Sequence, residues 1–332
     1  MIYVGLDQGY GYTKTAWQGK DGFVHEWIMP SIWGTPRETN LPYEASDPLD
    51  ALHVSVDGQE RFLGFMAQRL ATDASYILDK DKTEAAAFFT HALCGQIAAQ
   101  TRDNILGICT GPAISDYKKQ KDVLAERIRN LHSVEIKAGK FKGFKEVIHV
   151  HPVILPQGAG ALLSGEYLKP GETVALLDIG FGTVGHLVFE WRPNEPRPTY
   201  IDRLSGSLRL GMHVAQKNVQ KQVNEAYGVD LLLSQMEDVM RAKYIKEVGR
   251  DITNIVEEEY QIQAKQITEN LKPIWGQAGG FDKLLIGGGG AIDLTNYIQA
   301  IWPKARQIYK PQAANALGSL SAAIAEFSRH GA

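Results

Sequence analysis

Apolar and polar positions along this chain fall into two rounds of one pattern. The first begins at once. The apolar run Ile2–Leu6 closes on Asp7 and predicts a strand, and Thr13–Trp17 predicts its hairpin partner, with Gly9 and Gly11 in the turn. His53–Val56 and Arg61–Leu63 flank Asp57-Gly58, the residue pair of a type I′ hairpin. Glu84–Ala99 is rich in alanine and carries one glycine, Gly95, which predicts a buried helix. Asn104–Cys109 follows as a strand stopped by Gly111-Pro112, and Tyr117–Leu131 as a charged amphipathic helix. Val134–Ile136 and Glu146–Val150 read as strands around a turn rich in Gly and Lys. This alternation predicts an α/β domain.

Near Pro152–Pro156 the pattern restarts. Gly158–Leu168 predicts a helix of small residues, Thr173–Asp178 an apolar strand, and Val184–Trp191 a second strand ahead of the Pro-rich turn Arg192–Pro198. Gly211–Tyr227, Leu231–Tyr244 and Ile252–Ile274 predict helices, the last with Glu257, Glu258 and Glu259 on its solvent side. Leu284–Ile286 predicts a short strand entering the glycines 287–290, and an Ala-rich helix runs from Gln312 to about Phe327. A strand ending in aspartate, a Gly-rich turn and a returning strand thus occur once in each half. The simplest architecture is two related α/β domains facing each other across a cleft.

Bulk properties narrow the field. A length of 332 residues fits two domains. A formal net charge of -3 does not indicate a broad nucleic-acid surface. Two cysteines, Cys94 and Cys109, are too few for a disulfide framework or a four-cysteine zinc site, and predict buried, reduced thiols in a cytoplasmic protein. The N-terminal MIYVGLDQGY has neither a basic region nor a long apolar one, so no secretory signal is expected. No stretch approaches the roughly 20 consecutive apolar residues that span a bilayer, so no membrane partner is expected.

The candidate chemistry lies in the turns. Asp7–Lys14 and Asp178–Gly185 both read Asp-x-Gly-aromatic-Gly. Glycine lets backbone N–H groups approach a phosphate closely. Nucleotide phosphates travel with Mg²⁺, which takes a few carboxylate oxygens and several waters. One such turn is an ordinary hairpin with a capping aspartate. Two of the same form, one per half, favour a pair of phosphate grips, and Lys14 adds a positive point charge. Gly180-x-Gly182-x-x-Gly185 also fits the dinucleotide fingerprint, but that motif needs a helix after its third glycine, and His186–Trp191 reads as a strand. Tyr117-x-x-x-Lys121 fits a dehydrogenase pair, yet it lies on a charged helix with no cofactor loop to serve it. The Walker A pattern is absent. The glycines 287–290 would let backbone lie flat against a planar or phosphorylated ligand. His149 and His151 share a strand face without a third ligand, which reads as structural.

In this order the motifs resemble those of the actin-like ATPases, the actin/Hsp70/sugar-kinase-like fold, and most of all the bacterial and archaeal actin-like filament proteins of the plasmid-segregation (ParM) type. Asp7-Gln-Gly-Tyr-Gly-Tyr-Thr-Lys14 matches the first phosphate loop, and Leu155-Pro-Gln-Gly-Ala-Gly-Ala161 the first connecting segment. Asp178-Ile-Gly-Phe-Gly-Thr183 matches the second phosphate loop, Leu285-Ile-Gly-Gly-Gly-Gly290 the adenosine loop, and Ala314-Asn-Ala-Leu-Gly318 the second connecting helix.

The resemblance implies two related α/β domains around a nucleotide cleft. Residues 1–152 form domain I, completed by a C-terminal helix over 314–332, and residues 153–313 form domain II, with a helical insertion over about 192–280. It implies that Asp7 and Asp178 hold Mg²⁺, mainly through water, and that Lys14 contacts the β- and γ-phosphates. Gly9, Tyr10, Gly11 and Tyr12 line the first grip, and Gly180, Phe181, Gly182 and Thr183 the second. Gln157 orients the attacking water, and Gly287, Gly288 and Gly289 pass beside the adenosine. The chain departs from the family where Tyr10 and Phe181 replace small or polar residues, which could slow hydrolysis. It departs again at Gly185, the position nearest to a second acidic residue in many relatives.

The implied function is a polymerising ATPase, with ATP or GTP and Mg²⁺ as cofactors. It would assemble with itself into filaments for plasmid DNA segregation, through an adaptor protein bound to centromere-like DNA and with no direct nucleic-acid contact. A small-molecule kinase or a non-polymerising regulatory ATPase of the same fold are the alternatives. A kinase needs an aspartate base facing its substrate, and Asp73, Asp79 and Asp81 lie in a polar loop that reads as solvated. Trp27 and Trp33 flank Pro30 in an apolar loop. Core packing is the default there, and a filament contact the alternative.

Overall fold

A computed structural model describes residues 1–38, 47–77, 82–130, 133–165 and 167–329. In chain order the first part holds β1 (Ile2–Gln8), β2 (Tyr12–Gln18), β3 (Val24–Pro30), β4 (Ile32–Gly34), β5 (His53–Val56), β6 (Gln59–Leu63), α1 (Gly64–Leu70) and β7 (Ser75–Tyr76). Then come α2 (Lys82–Thr101), β8 (Ile105–Thr110), α3 (Tyr117–Asn130), β9 (Ser133–Ile136), β10 (Lys145–Val147), β11 (His149–Ile154) and α4 (Ala159–Leu163). The rest comprises β12 (Thr173–Ile179), β13 (Val184–Glu190), β14 (Thr199–Tyr200), β15 (Gly206–Leu208), α5 (Met212–Tyr227), α6 (Met236–Ala242), β16 (Tyr244–Ile245) and β17 (Arg250–Asp251). It ends with α7 (Thr253–Trp275), β18 (Lys283–Gly287), α8 (Ala291–Ile301), β19 (Ala305–Gln307) and α9 (Ala314–Arg329). Two compact units result: Met1–Tyr167 with Gln312–Ala332, and Leu168–Pro311. Because α4 packs against α9, residues 153–167 stay with the first unit.

The first unit is built on the sheet β11-β8-β1-β2-β3, with β1 antiparallel to β2 and parallel to β8. Helix α9 lies flat on β1 because Gly5 has no side chain. A Cβ there would stand 2.0 Å from Ala316 O and 2.2 Å from Leu320 N. Helix α2 is buried nearly all round, as a helix without a polar face must be. A second sheet, β10-β9-β5-β6-β4-β7, completes the unit.

Two readings of this half change. The expected strand Glu146–Val150 breaks at the buried Ile148: β10 pairs with β9 in one sheet, and β11 with β8 in the other. The apolar stretch around Pro30 forms strands β3 and β4, not a loop. Its tryptophans pack inward, Trp27 4.1 Å from the Trp17 ring and Trp33 6.2 Å from that of Phe88. His149 and His151 are exposed on β11, an edge strand. The end of the expected helix at Leu131 lies outside the described residues, as do Asp79 and Asp81.

The second unit is the mixed sheet β14-β13-β12-β18-β19, with β15 pairing on β13. Helices α5, α6, α7 and α8 pack their apolar residues into one core with it. Helix α8 and the three-residue strand β19 have no counterpart among the expected elements. The expected helix Leu231–Tyr244 is a 3-10 turn, Leu233–Gln235, followed by α6, which is ended by Lys243 with φ +52. The expected helix Gly158–Leu168 is only α4.

Glu259 is the clearest correction on α7. It is buried, not on the solvent side, and its Oε1 accepts a hydrogen bond from Asn218 Nδ2 at 2.7 Å. Burial raises its pKa, with the Asn218 bond acting against the rise.

His186 on β13 is buried against the ring of Trp275, and burial pushes its pKa down from 6.5 to about 4. The unfolded chain therefore takes up this proton first. The stability that neutral His186 carries is complete above pH 6.5 and is lost as pH falls toward 4. One such group costs about 2 kcal/mol between pH 7 and pH 5. His186→Leu is expected to shrink the pH 7 to pH 5 loss in urea midpoint. An unchanged loss would place the acid sensitivity elsewhere.

Candidate functional site

The first turn is set by strand register. β1 and β2 pair antiparallel with Asp7 opposite Lys14, which puts both side chains on one face. They form a buried ion pair, Lys14 Nζ to Asp7 Oδ2 at 3.0 Å. The turn closes through Gly9 N donating to Tyr12 O at 3.0 Å. A Cβ on Gly9 would stand 2.7 Å from Tyr12 O and 3.1 Å from Lys14 Nζ, so the tight turn excludes a side chain. Gly11 is buried, Tyr12 opens β2, and Tyr10 is half-buried against the core of this unit.

Gln157 joins this pair from far along the chain. Its Nε2 donates to Asp7 Oδ1 at 2.8 Å and to Gln8 O at 2.9 Å. Its backbone N donates to Pro112 O at 2.9 Å. The residues after it are fixed by α9: Asn315 Oδ1 accepts from Gly158 N at 3.1 Å and from Ala161 N at 3.0 Å. Helix α4 has no side-chain cap of its own, so Asn315 satisfies N–H groups that a helix start leaves over. Asp7, Lys14 and Gln157 thus converge within one unit. Both Asp7 oxygens already accept hydrogen bonds.

The second turn has the same form. β12 and β13 pair with Asp178 opposite Gly185, and Gly180 N donates to Thr183 O at 2.9 Å. Asp178 also stands beside Gly287 in the parallel pairing of β12 with β18. A Cβ on Gly185 would make ordinary contacts, 3.5 Å from Leu187 and 3.6 Å from Asp178. Gly182 is buried, and a Cβ on Gly211 would be 2.5 Å from its carbonyl carbon. Phe181 sits with its ring 5.9 Å from that of His213.

Packing accounts for three of the four glycines in the run. Gly288 has φ +81, and a Cβ there would stand 2.4 Å from Ile179 O and 2.7 Å from Asp178 Oδ1. Side chains at 287 and 290 would strike Ile308, Ile179 and Met212. The loop is therefore pressed onto the end of β12, with the Gly288 backbone against the Asp178 carboxylate. Gly289 completes the loop and is half-buried.

Other candidates recede. Burial raises the thiols of Cys94 and Cys109 to about 12, which leaves neither as a thiolate at neutral pH. Asp73 accepts from Thr35 N at 2.8 Å and from Thr35 Oγ1 at 2.6 Å, which ties down a loop. Among the described residues, no three His, Cys, Asp or Glu side chains gather to hold a metal. Among them also, no helix is long and apolar enough to cross a membrane. Sequence reasoning gave no role to Gln8 or Asn315, which lie inside the matched motifs, and missed Ser31 and His213. Of the last two, only the polar Ser31 within an apolar run carried a signal.

Comparisons with known proteins agree with this layout. Residues 5–160 match the model of the N-terminal domain of actin-like proteins, and residues 176–300 that of the C-terminal domain of the MreB-like archaeal actin homologue. A search of the curated proteins finds no match. Among solved structures, a 15-stranded ParM filament from Clostridium botulinum is 22% identical, with a TM-score of 0.83 over 97% of this chain and 98% of that one. The archaeal actin homologue Ta0583 in complex with ADP is 21% identical, with a TM-score of 0.73 over 97% and 99%. ParM from Bacillus thuringiensis with ADP is 16% identical, with a TM-score of 0.71 over 98% and 99%. These likenesses establish an α/β actin-like fold of two domains. The chain belongs to the actin-like proteins.

Proposed function

We propose that this chain is an ATPase that assembles with itself into filaments when it binds nucleotide. The observation that carries this reading is the constellation of Asp7, Lys14 and Gln157 at a turn with no room for a side chain at Gly9. In the first unit, Lys14 binds the β- and γ-phosphates, and Gly9 to Tyr12 offer backbone N–H groups. In the second unit, Gly180 to Thr183 do the same, and Gly287 to Gly289 pass beside the adenosine.

The donor set fits Mg²⁺ carried mainly through water. Both Asp7 oxygens already accept from Lys14 and Gln157, so Asp7 reaches a cation through water, and Asp178 is the matching carboxylate of the second turn. When bound, Mg²⁺ neutralises charge on the phosphate oxygens. Gln157 directs its amide N–H groups onto Asp7 and Gln8, and its Oε1 accepts a hydrogen bond from the attacking water. An amide is no strong base. It orients the water and leaves electrostatics to drive transfer.

Gln157→Ala is expected to slow phosphate release about a hundredfold, near 2.7 kcal/mol, while ATP affinity stays within about threefold. An equal loss in binding would make Gln157 a ligand contact instead.

Filament formation is supported by the fold shared with the Clostridium botulinum ParM filament. We read the role as plasmid DNA segregation through an adaptor protein bound to centromere-like DNA, in keeping with a net charge of -3. Pelleting and light scattering with ATP, GTP, ADP and no nucleotide, with phosphate release followed in parallel, test the reading. Nucleotide-dependent assembly supports it and names the nucleotide. Phosphate release without assembly would move the chain to a kinase or regulatory ATPase.

A further inference from the structure

Each glycine-rich turn is held from behind by one residue that donates twice onto its carbonyls. In the first unit this is Ser31, fully buried between β3 and β4. Its Oγ donates to Gly9 O at 2.7 Å and its backbone N to Gly11 O at 2.8 Å. The hydroxyl is itself surrounded, by Thr13 Oγ1 at 2.9 Å and Gln8 Nε2 at 3.3 Å, both on buried residues. In the second unit it is His213, in the first turn of α5. Its backbone N–H at 3.0 Å and its Nδ1 at 2.9 Å both meet Phe181 O. A carbonyl only accepts, so Nδ1 carries the proton. Next to it, Met212 N donates to Gly180 O at 3.0 Å.

Peptide geometry turns these bonds into a direction. The described peptides are all trans, and in a trans peptide the C=O of one residue and the N–H of the next point opposite ways. Drawing the carbonyls of Gly180 and Phe181 toward α5 turns the N–H groups of Phe181 and Gly182 to the other side. Drawing those of Gly9 and Gly11 toward Ser31 does the same for Tyr10 and Tyr12. Successive N–H groups facing one way are how backbone builds an anion-binding concavity. The first N–H groups of α5 are used on the turn, so α5 acts on a phosphate through the turn.

We propose that Ser31 and His213 are positioning residues that aim the backbone donors of the two turns at phosphate, without touching it themselves. This rests on the nucleotide-binding reading above. A residue of this kind sets affinity for phosphates and leaves affinity for the nucleoside alone.

The test is competition against a fluorescent ATP analogue, with Mg·ATP, Mg·ADP and adenosine as competitors. The proteins are the wild type, the loss variants Ser31→Ala and His213→Leu, and the rescue variants Ser31→Thr and His213→Asn. The Asn amide nitrogen takes the place of Nδ1. Each loss variant is expected to bind ATP and ADP about tenfold more weakly, the scale of one hydrogen bond aimed at a charged group. Adenosine affinity stays within about twofold and the rescue variants within about threefold of wild type on the same scale. Equal loss for ATP and adenosine would show a general structural role and overturn the proposal. ATP affinity unchanged in both loss variants would also overturn it, with the nucleotide reading intact. A wild type that binds no nucleotide would overturn that reading and this proposal together.

Discussion

Asp7→Ala is expected to destabilise the protein by about 3–5 kcal/mol and to abolish phosphate release. Removing one partner of a buried ion pair leaves the other charge without compensation. Lys14 is 9% exposed, too little for water to replace the carboxylate at 3.0 Å. The same substitution takes away one of the two oxygens that hold Gln157. Adding Lys14→Met to Asp7→Ala separates the two effects. An apolar chain of similar length restores most of the stability, because replacing both ions of a buried pair is often close to neutral. Activity does not return. Urea midpoints and phosphate release for the single and double variants check this. A double variant no more stable than Asp7→Ala would show that the pair is not the source of the loss. A double variant with restored turnover would remove both residues from the chemistry.

Gly318→Ala is expected to cost about 3 kcal/mol or more and to slow phosphate release as well. The added methyl would stand 1.6 Å from Gly160 O and 2.8 Å from Ser164 N. Both are backbone atoms of α4 or its end, so no rotamer change relieves the clash and the helices must separate. Separation pulls Asn315 from the N–H groups of Gly158 and Ala161, next to Gln157. The defect therefore travels from a helix crossing to the first turn. Gly185→Ala is the control, since its Cβ would make only ordinary contacts. It should change stability by less than about 0.5 kcal/mol. Thermal unfolding of both variants decides the matter. Wild-type melting of Gly318→Ala would mean that α4 and α9 do not approach so closely.

Much of this was legible in residue order because it is local. Asp7 and Lys14 face each other because a seven-residue offset across a tight turn fixes antiparallel register, and register decides which side chains share a face. The same logic placed Asp178 at the end of β12 and the four glycines at the end of β18 and just beyond it. Most of the longer elements were read correctly in kind, although the seven-residue β3 was taken for a loop and the eleven-residue α8 was passed over. Short ones were missed: α1, β4 and β19 have too few residues to show a period. The strand over Glu146–Val150 looked continuous because its pattern does not reveal that two sheets compete for it. Glu259 looked solvated because three glutamates in a row hide which of them turns inward on a helix with 3.6 residues per turn.

By itself, then, the sequence determined the strands that flank the site, the paired aspartate-glycine turns and the α/β class, since each depends on the chain's nearest neighbours along the backbone. Tertiary structure alone decided which groups far apart in the chain meet. Gln157 reaches Asp7 across 150 positions, and Asn315 caps Gly158 across 157. Ser31 and His213 hold their turns from strands and helices that no local pattern ties to them. Such bonds depend on how whole elements pack. Packing follows from the summed burial of many side chains and the absence of a few, as at Gly5, Gly288 and Gly318.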